Sequence, residues 1–301
     1  MEFQRFEFPQ PTWGPSVNVL RIGDTLVDTG HVRSADALRE ALADPDRLGG
    51  VERVVLTHPH IDHVGGTQVV GELADLPHVA IEGVPFIVHD YREYLLEARA
   101  DMTRLCAGLG ATEAMWDDYF PVDREYHEDR IEFERVLQDG GTVRLGSYEL
   151  DVVSTPGHSG QHAAFWHEPS GTCLPGDIVS ENGHFMYAPL HCDIGEYKES
   201  LRRLRALEAD RLVPMHGPPM EHPQERIEDC LRKAERTESR LLDWLDERDS
   251  FFAREFASEV LGAEGAAVGF LSMVAYEYAR HLETRGECSV EVTAEGIAVS
   301  G

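Results

Sequence analysis

The sequence predicts an α/β (α+β) protein built on a sandwich of sheets, and three observations lead there. Short β-branched apolar runs such as Val54-Val55-Leu56, bounded by turn residues, read as buried strands. Between them lie longer charged segments with helical character. A strand repeatedly ends in a side chain able to bind a metal: Asp28, His58, His158, Asp177 and His216 all stand at such ends. Placed that way, they converge on one edge of the sandwich.

In chain order, Val17 to Ile22 and Thr25 to Val27 form a hairpin turning at Gly23-Asp24, and the second strand ends in Asp28-Thr29-Gly30. Ser34 is placed to cap a helix through Ala43, which stops at Asp44-Pro45. A strand from Val51 to Leu56 follows, then a helix from Gly66 to Leu76 and a strand from Val79 to Ile81. From Pro85 to about Glu134 the segments turn long and charged (Tyr91 to Leu109, Ala111 to Tyr119), as in a helical insertion. An insertion of that kind either shapes a substrate pocket or serves as a structural arm. Strands resume at Thr142 to Leu145 and Tyr148 to Val153, which lead into Thr155-Pro156-Gly157-His158-Ser159. His162 to Trp166 and Thr172 to Leu174 pair next and end in Pro175-Gly176-Asp177. The helix Tyr197 to Leu207 precedes a strand, Leu212 to Pro214, and Met215-His216-Gly217-Pro218.

The 301 residues suffice for one large domain and one small one, and 42% hydrophobic content suffices for a packed core. No run approaches the roughly 18 apolar residues of a membrane span. Met1-Glu2-Phe3-Gln4-Arg5 lacks the layout of a signal peptide, so a cytoplasmic location away from membranes is expected. The five cysteines are scattered without a C-x-x-C, which fits free thiols rather than a disulfide framework, with Cys173 a small buried residue.

Charge narrows the partners. Asp and Glu number 55 against 27 Lys and Arg, a formal net charge of -28, and Lys198 and Lys233 are the only lysines. Such a surface repels nucleic acid phosphate and anionic membrane, so nucleic acid is disfavoured and a small-molecule substrate is expected. Acid-rich, lysine-poor composition also suits molar intracellular salt, although a high-GC genome favours arginine too. The Debye length falls from about 30 Å at 0.01 M salt to about 3 Å at 1 M, which removes most carboxylate repulsion. Melting temperature and activity should therefore rise from tens of millimolar to molar KCl; a flat or falling melting temperature would reduce the acidity to solubilising charge. A homo-oligomer is compatible with the sequence, which leaves the oligomeric state open.

The densest chemistry lies in Thr57-His58-Pro59-His60-Ile61-Asp62-His63-Val64-Gly65-Gly66, three imidazoles and a carboxylate within six residues after a strand. His58 and His60 can point the same way at the strand's end, while Asp62 and His63 aim at a second point nearby. Two such groups of nitrogen and oxygen donors suit a pair of borderline metals such as zinc. A histidine-rich surface loop explains the spacing far less well.

With His-x-His-x-Asp-His complete and Gly-His, Gly-Asp and His-Gly following in order, the chain resembles the metallo-β-lactamase superfamily over roughly residues 15 to 220. The resemblance is to the broad branch that includes hydroxyacylglutathione hydrolases and β-lactamase-like endoribonucleases. It implies an αββα sandwich, with the helical insertion filling the long gap from His63 to His158. It also implies one metal held by His58, His60 and His158 and a second by Asp62, His63 and His216, with Asp177 bridging. The two divalent ions, zinc or alternatively manganese or iron, would generate a bridging hydroxide and polarise the substrate, making Asp62 and Asp177 catalytic as well as ligating. Asp28 is better placed to orient a ligand histidine from behind. His162, His184 and His191 are assigned ordinary polar roles.

Beyond Pro223, helices at Gln224 to Glu247, Phe251 to Leu261 and Phe270 to Thr284 precede a hairpin from Ser289 to Val299 around Glu295-Gly296. That order suggests a winged-helix-like domain over 223–301 beside a catalytic domain over 1–222, and similar domains end many members of the branch. Its second and third helices offer only Arg254, Arg280 and His281 as basic groups, so a packing module is expected rather than a DNA reader. The expected activity is hydrolysis of a small thioester or ester. A metal-dependent endoribonuclease or phosphodiesterase is the alternative, and an iron-dependent persulfide dioxygenase a third that uses fewer ligands. A non-enzymatic DNA-binding regulator is disfavoured because no ligand is lost.

Overall fold

The computed structural model describes residues 1–10, 16–74, 76–106, 116–117, 120–123, 131–180, 192–265 and 267–301. Its first sheet has the order β1-β2-β3-β4-β5-β6. The antiparallel strands β1 (Gln4–Pro9), β2 (Ser16–Ile22) and β3 (Thr25–Val27) are joined in parallel by β4 (Arg53–Leu56), β5 (His78–Ile81) and β6 (Phe133–Leu137). The second sheet comprises β7 (Thr142–Leu145), β8 (Tyr148–Ser154), β9 (Ala163–His167), β10 (Thr172–Leu174), β11 (Arg211–Leu212) and β12 (Met220–Glu221). It is ordered β12-β11-β10-β9-β8-β7, antiparallel except where β10 meets β11.

Strand alternation decides what lies between the sheets and what lies outside them. Val152, Phe165, Leu174 and Val213 pack into one apolar cluster with Val17, Val19, Leu20 and Leu26 of the first sheet. Their chain neighbours Val153, Ala164, Cys173 and Leu212 belong to a second cluster on the far face. There they meet α6 (Ile194–Ala206) and α7 (Gln224–Glu247) through Ile194, Tyr197, Leu201, Ile227 and Leu231. On the outside of the first sheet lie α1 (Ala35–Ala43) and α3 (Thr67–Ala74), which contribute Leu38, Ala41, Val69 and Val70 to the first cluster. The layers are therefore helix, sheet, sheet, helix, as expected.

The differences from expectation have local causes. The helix expected from Gly66 to Leu76 is α3, and a separate single turn, α2 (Ile61–Val64), precedes it, with Gly65 and Gly66 between them pressed against the preceding loop. A Cβ on Gly65 would stand 2.3 Å from the Val32 nitrogen, and one on Gly66 2.2 Å from the Thr29 oxygen. Ser34 does precede α1, but its hydroxyl donates to the Pro9 carbonyl instead of capping the helix. Asp193 starts α6 three residues earlier than expected, its Oδ1 accepting the Glu196 amide at 2.8 Å. The expected strand to Pro214 ends at Leu212, and neither β1 nor β6 was anticipated.

Within the insertion, α4 (Val84–His89) and α5 (Tyr91–Leu105) are helical, whereas most of the expected helix from Ala111 to Tyr119 lies outside the described residues. After α7 come β13 (Ser250–Phe252), α8 (Ala253–Glu259), α9 (Ala267–Thr284), β14 (Ser289–Thr293) and β15 (Gly296–Ser300). The expected hairpin gains a third strand, in the order β13-β15-β14. Apolar side chains of this tail, among them Phe256, Tyr278, Leu282 and Ile297, share the second cluster with α6 and the sheet face. All five cysteines are buried thiols outside any disulfide.

Candidate metal centre

The strand ends of both sheets deliver the site. After β4, residues 57–60 run into α2, so His58 and His60 stand before the turn and Asp62 and His63 within it. His158 comes from the loop between β8 and β9, Asp177 from the turn after β10, and His216 from the loop between β11 and β12. Their donor atoms form three overlapping groups, each within 4.8 Å: His58, His60 and His158; His58, His63 and Asp177; Asp62, His63 and His216. Asp177 Oδ2 lies 3.3 Å from His63 Nε2, 3.6 Å from His158 Nε2 and 3.2 Å from His216 Nε2, so one carboxylate oxygen faces both sets. All seven residues expected from the sequence are brought together.

Asp28 sits behind them with φ at 58°, a left-handed conformation that Asp tolerates better than most residues. Its carboxylate accepts from the Thr57 amide at 2.8 Å, the Thr57 hydroxyl at 2.7 Å and His63 Nδ1 at 2.8 Å. Because the Thr57 hydroxyl donates to Asp28, it accepts from His58 Nδ1, 2.9 Å away. One buried carboxylate thus orients a histidine of each set, directly for His63 and through Thr57 for His58. His216 is fixed likewise, its Nδ1 donating to the Ser16 carbonyl at 3.1 Å. In each ring the rear nitrogen is occupied and Nε2 faces inward, the arrangement a ligating imidazole requires.

The electrostatics fit cations. Burial would raise the carboxyl of Asp177, but His216 and His63 hold it well below the usual carboxylate range, and Asp62 is lowered in the same way by His63 and His216. Burial would lower His63 and His216, yet the carboxylates hold His63 well above the ordinary histidine value and push His216 up to about 10. Burial drives His58 and His162 well below it, and the neighbouring imidazoles add to this. Burial also raises Asp28, opposed by its contacts to His63 and Thr57. Asp177 Oδ1 is buried with no hydrogen-bond partner among the described residues. Buried carboxylates that pull protons onto nearby imidazoles, with an acceptor oxygen left over, are a donor set suited to a pair of divalent metals.

Several supporting residues escaped the sequence reading. Asn18 Nδ2 donates to the carbonyls of Pro214 at 2.8 Å and Gly217 at 2.7 Å, clasping the His216 loop from β2. No sequence signal marks Asn18; Thr57, in contrast, stands inside the motif. His162 lies beside the cluster but in none of its donor groups, while His184 and His191 lie outside the described residues. Tyr91 of α5 donates to the Pro59 carbonyl at 3.0 Å, tying the insertion to the histidine loop. Further along, Met102 and Cys106 of the insertion pack with Trp116 and with Met273 of α9.

Comparison with known proteins identifies the family. The profile of the metallo-beta-lactamase superfamily matches residues 16–216. The chain belongs to that superfamily. A superfamily structure from Thermus thermophilus superposes with a TM-score of 0.76 at 21% identity, covering 99% of this chain and 98% of its own. A beta-lactamase domain protein from Burkholderia ambifaria gives 0.78 at 22% identity, covering 99% and 91%. Both extend the shared fold through the C-terminal elements.

Among related superfamily sequences, the beta-lactamase-like protein 2 homolog of Caenorhabditis elegans is 23% identical over 78% of this chain and 66% of its own. The atrochrysone carboxyl ACP thioesterase of Aspergillus fumigatus is 24% identical over 72% and 54%, and an acyl-coenzyme A thioesterase of Gallus gallus 27% over 64% and 68%. The matched region thus spans less than two thirds of the nematode and fungal proteins. Among the described residues no helix is long and apolar enough to cross a membrane.

Proposed function

We propose that this metallo-hydrolase cleaves a small thioester or ester at a dinuclear centre. His58, His60 and His158 would hold one divalent ion and Asp62, His63 and His216 the other, with Asp177 shared. The observation that carries the reading is the Asp177 oxygen lying within 3.6 Å of the inward nitrogens of His63, His158 and His216. Two ions there would supply a water of pKa about 7 and polarise the scissile carbonyl. The chain's own part is to fix the ligands. Asp28 and Thr57 lock the tautomers of His58 and His63, and the Ser16 carbonyl locks that of His216.

The thioesterase names of two relatives support the substrate class. A net charge of -28 weighs against RNA, whose phosphates it repels. The basic groups of α8 and α9 are engaged locally: Arg254 with Phe252 and Glu295, Arg280 over Tyr276, and His281 4.0 Å from Glu238. The tail then acts as a packing module beside the catalytic domain rather than as a DNA-binding element.

The test is elemental analysis of purified protein together with a panel of thioester, lactone, phosphodiester and RNA substrates. Close to two transition-metal ions per chain, zinc foremost, and chelator-sensitive thioester or ester turnover are expected. Turnover of RNA or phosphodiesters exceeding that of every thioester would overturn the substrate class, and one metal or none would overturn the centre.

A further inference from the structure

His162 is fully buried among the cluster's imidazoles, its ring centroid 4.9 Å from that of His58 and 5.9 Å from that of His158. Both of its nitrogens are engaged. Nε2 lies 3.1 Å from the backbone nitrogen of Asp177, and Nδ1 lies 2.7 Å from Thr155 Oγ1. A backbone amide can only donate, so Nε2 is the acceptor and bears no proton. The ring proton therefore sits on Nδ1 and goes to the threonine hydroxyl. With its one in-plane lone pair spent on Asp177, this histidine has nothing to offer a metal.

Its placement joins two loops. The Thr155 amide donates to the His162 carbonyl at 2.9 Å, closing the base of the loop that carries His158. From that base the ring reaches across to the turn that carries Asp177. Gly176 makes the approach possible: its φ is +55°, and a Cβ there would stand 2.3 Å from His162 Nε2. The Gly176 carbonyl in turn accepts the Met215 amide at 3.2 Å, next to His216.

Resting on the dinuclear reading above, we infer that His162 is a positioning residue: its Nε2 holds the Asp177 backbone so that the carboxylate reaches both ligand sets. The role needs an acceptor at Nε2 and a tie to Thr155, which is more than packing volume.

Two substitutions separate the atoms. In His162→Gln the side-chain oxygen falls where Nε2 stands, which retains the acceptor for Asp177. In His162→Asn the amide reaches only the Nδ1 position, which retains Thr155 and loses Asp177. Zinc affinity by competition titration, and the visible spectrum of the cobalt-substituted protein, are the readouts, with the metal-free melting temperature as control. His162→Asn should bind about 10–100-fold more weakly, the usual loss when a ligand's support is removed, with an altered cobalt spectrum. His162→Gln should stay near wild type, and metal-free His162→Asn, which leaves the buried Asp177 amide without its acceptor, should melt somewhat lower yet stay folded at the titration temperature. Equal affinities in Asn and Gln variants would overturn the inference, whether both matched wild type or both fell. Wild-type protein that binds fewer than two ions would overturn the dinuclear reading and the inference together. Thr155→Val, which removes the orienting hydroxyl at constant volume, serves if the histidine variants do not fold; unchanged affinity there counts against the role as well.

Discussion

Asp177→Ala should strip both ligand sets at once, whereas His216→Ala should spare the set of His58, His60 and His158. The asymmetry follows from geometry. Asp177 Oδ2 faces His63, His158 and His216 together, while His216 Nε2 stands with Asp62 and His63 in the second donor group. Removing the shared carboxylate also leaves His63 and His216 without the anion that contributes to their raised pKa values. Metal assistance at such a site is worth several kcal/mol of transition-state stabilisation, so hydrolysis should fall by about 10³-fold or more. Elemental analysis should find close to no tightly held metal in Asp177→Ala and close to one ion per chain in His216→Ala. A full complement in Asp177→Ala would sink the assignment of that residue.

The largest effect on stability should come from Glu238→Gln. Glu238 of α7 is 8% exposed and pairs with Lys198 of α6 through Oε2 and with Arg285, beyond α9, through Oε1. Removing one partner from a buried ion pair costs about 3–5 kcal/mol, because the other charge is left uncompensated. At about 2–4 °C per kcal/mol for a chain approaching this size, the melting temperature should drop by roughly 10 °C. Burial would raise the pKa of Glu238, but Lys198, His281 and Arg285 hold it below the usual value. A depressed folded-state pKa means that the stabilisation is present above the unfolded value of about 4.3 and is lost as pH falls through the folded one. The gap between wild type and variant should therefore be widest near neutrality and close in acid. The double variant Lys198→Met/Glu238→Leu should recover most of the loss, since a packed apolar pair substitutes well for a buried ion pair. Matching melting curves for wild type and Glu238→Gln at neutral pH would show the pair to be energetically idle.

The site was legible because its ligands crowd into one motif and otherwise follow strand ends, where apolar run and chelating side chain stand adjacent. The supporting residues were not. Asn18 acts on Pro214 and Gly217 only once the two sheets have docked, and His162 on Asp177 only once β9 and β10 have paired. Among strands, β1 and β6 lie at the two edges of the first sheet, and their exposure patterns lack the buried alternation that betrays an inner strand. β6 is also separated from its partner β5 by the whole insertion, so no hairpin spacing announces it. The layering came from the resemblance that the motifs carry, whereas the third strand of the tail, β13, is only three residues long and gives no periodic signal.

The clasp between β2 and the His216 loop also sets an order of events. His216 and Ser16 are 200 residues apart, and closing a loop of that length costs about 5 kcal/mol of chain entropy. His63 and Asp62 can meet early, but His216 joins them only after the two sheets have docked. Two cations that need the His216 loop as well as the histidine motif would therefore bind only after that docking. They would bind a finished cleft, leaving the refolding rate nearly unchanged while slowing its reopening. On that view the metals act as a latch on the native state, and the polypeptide alone has to find its way there.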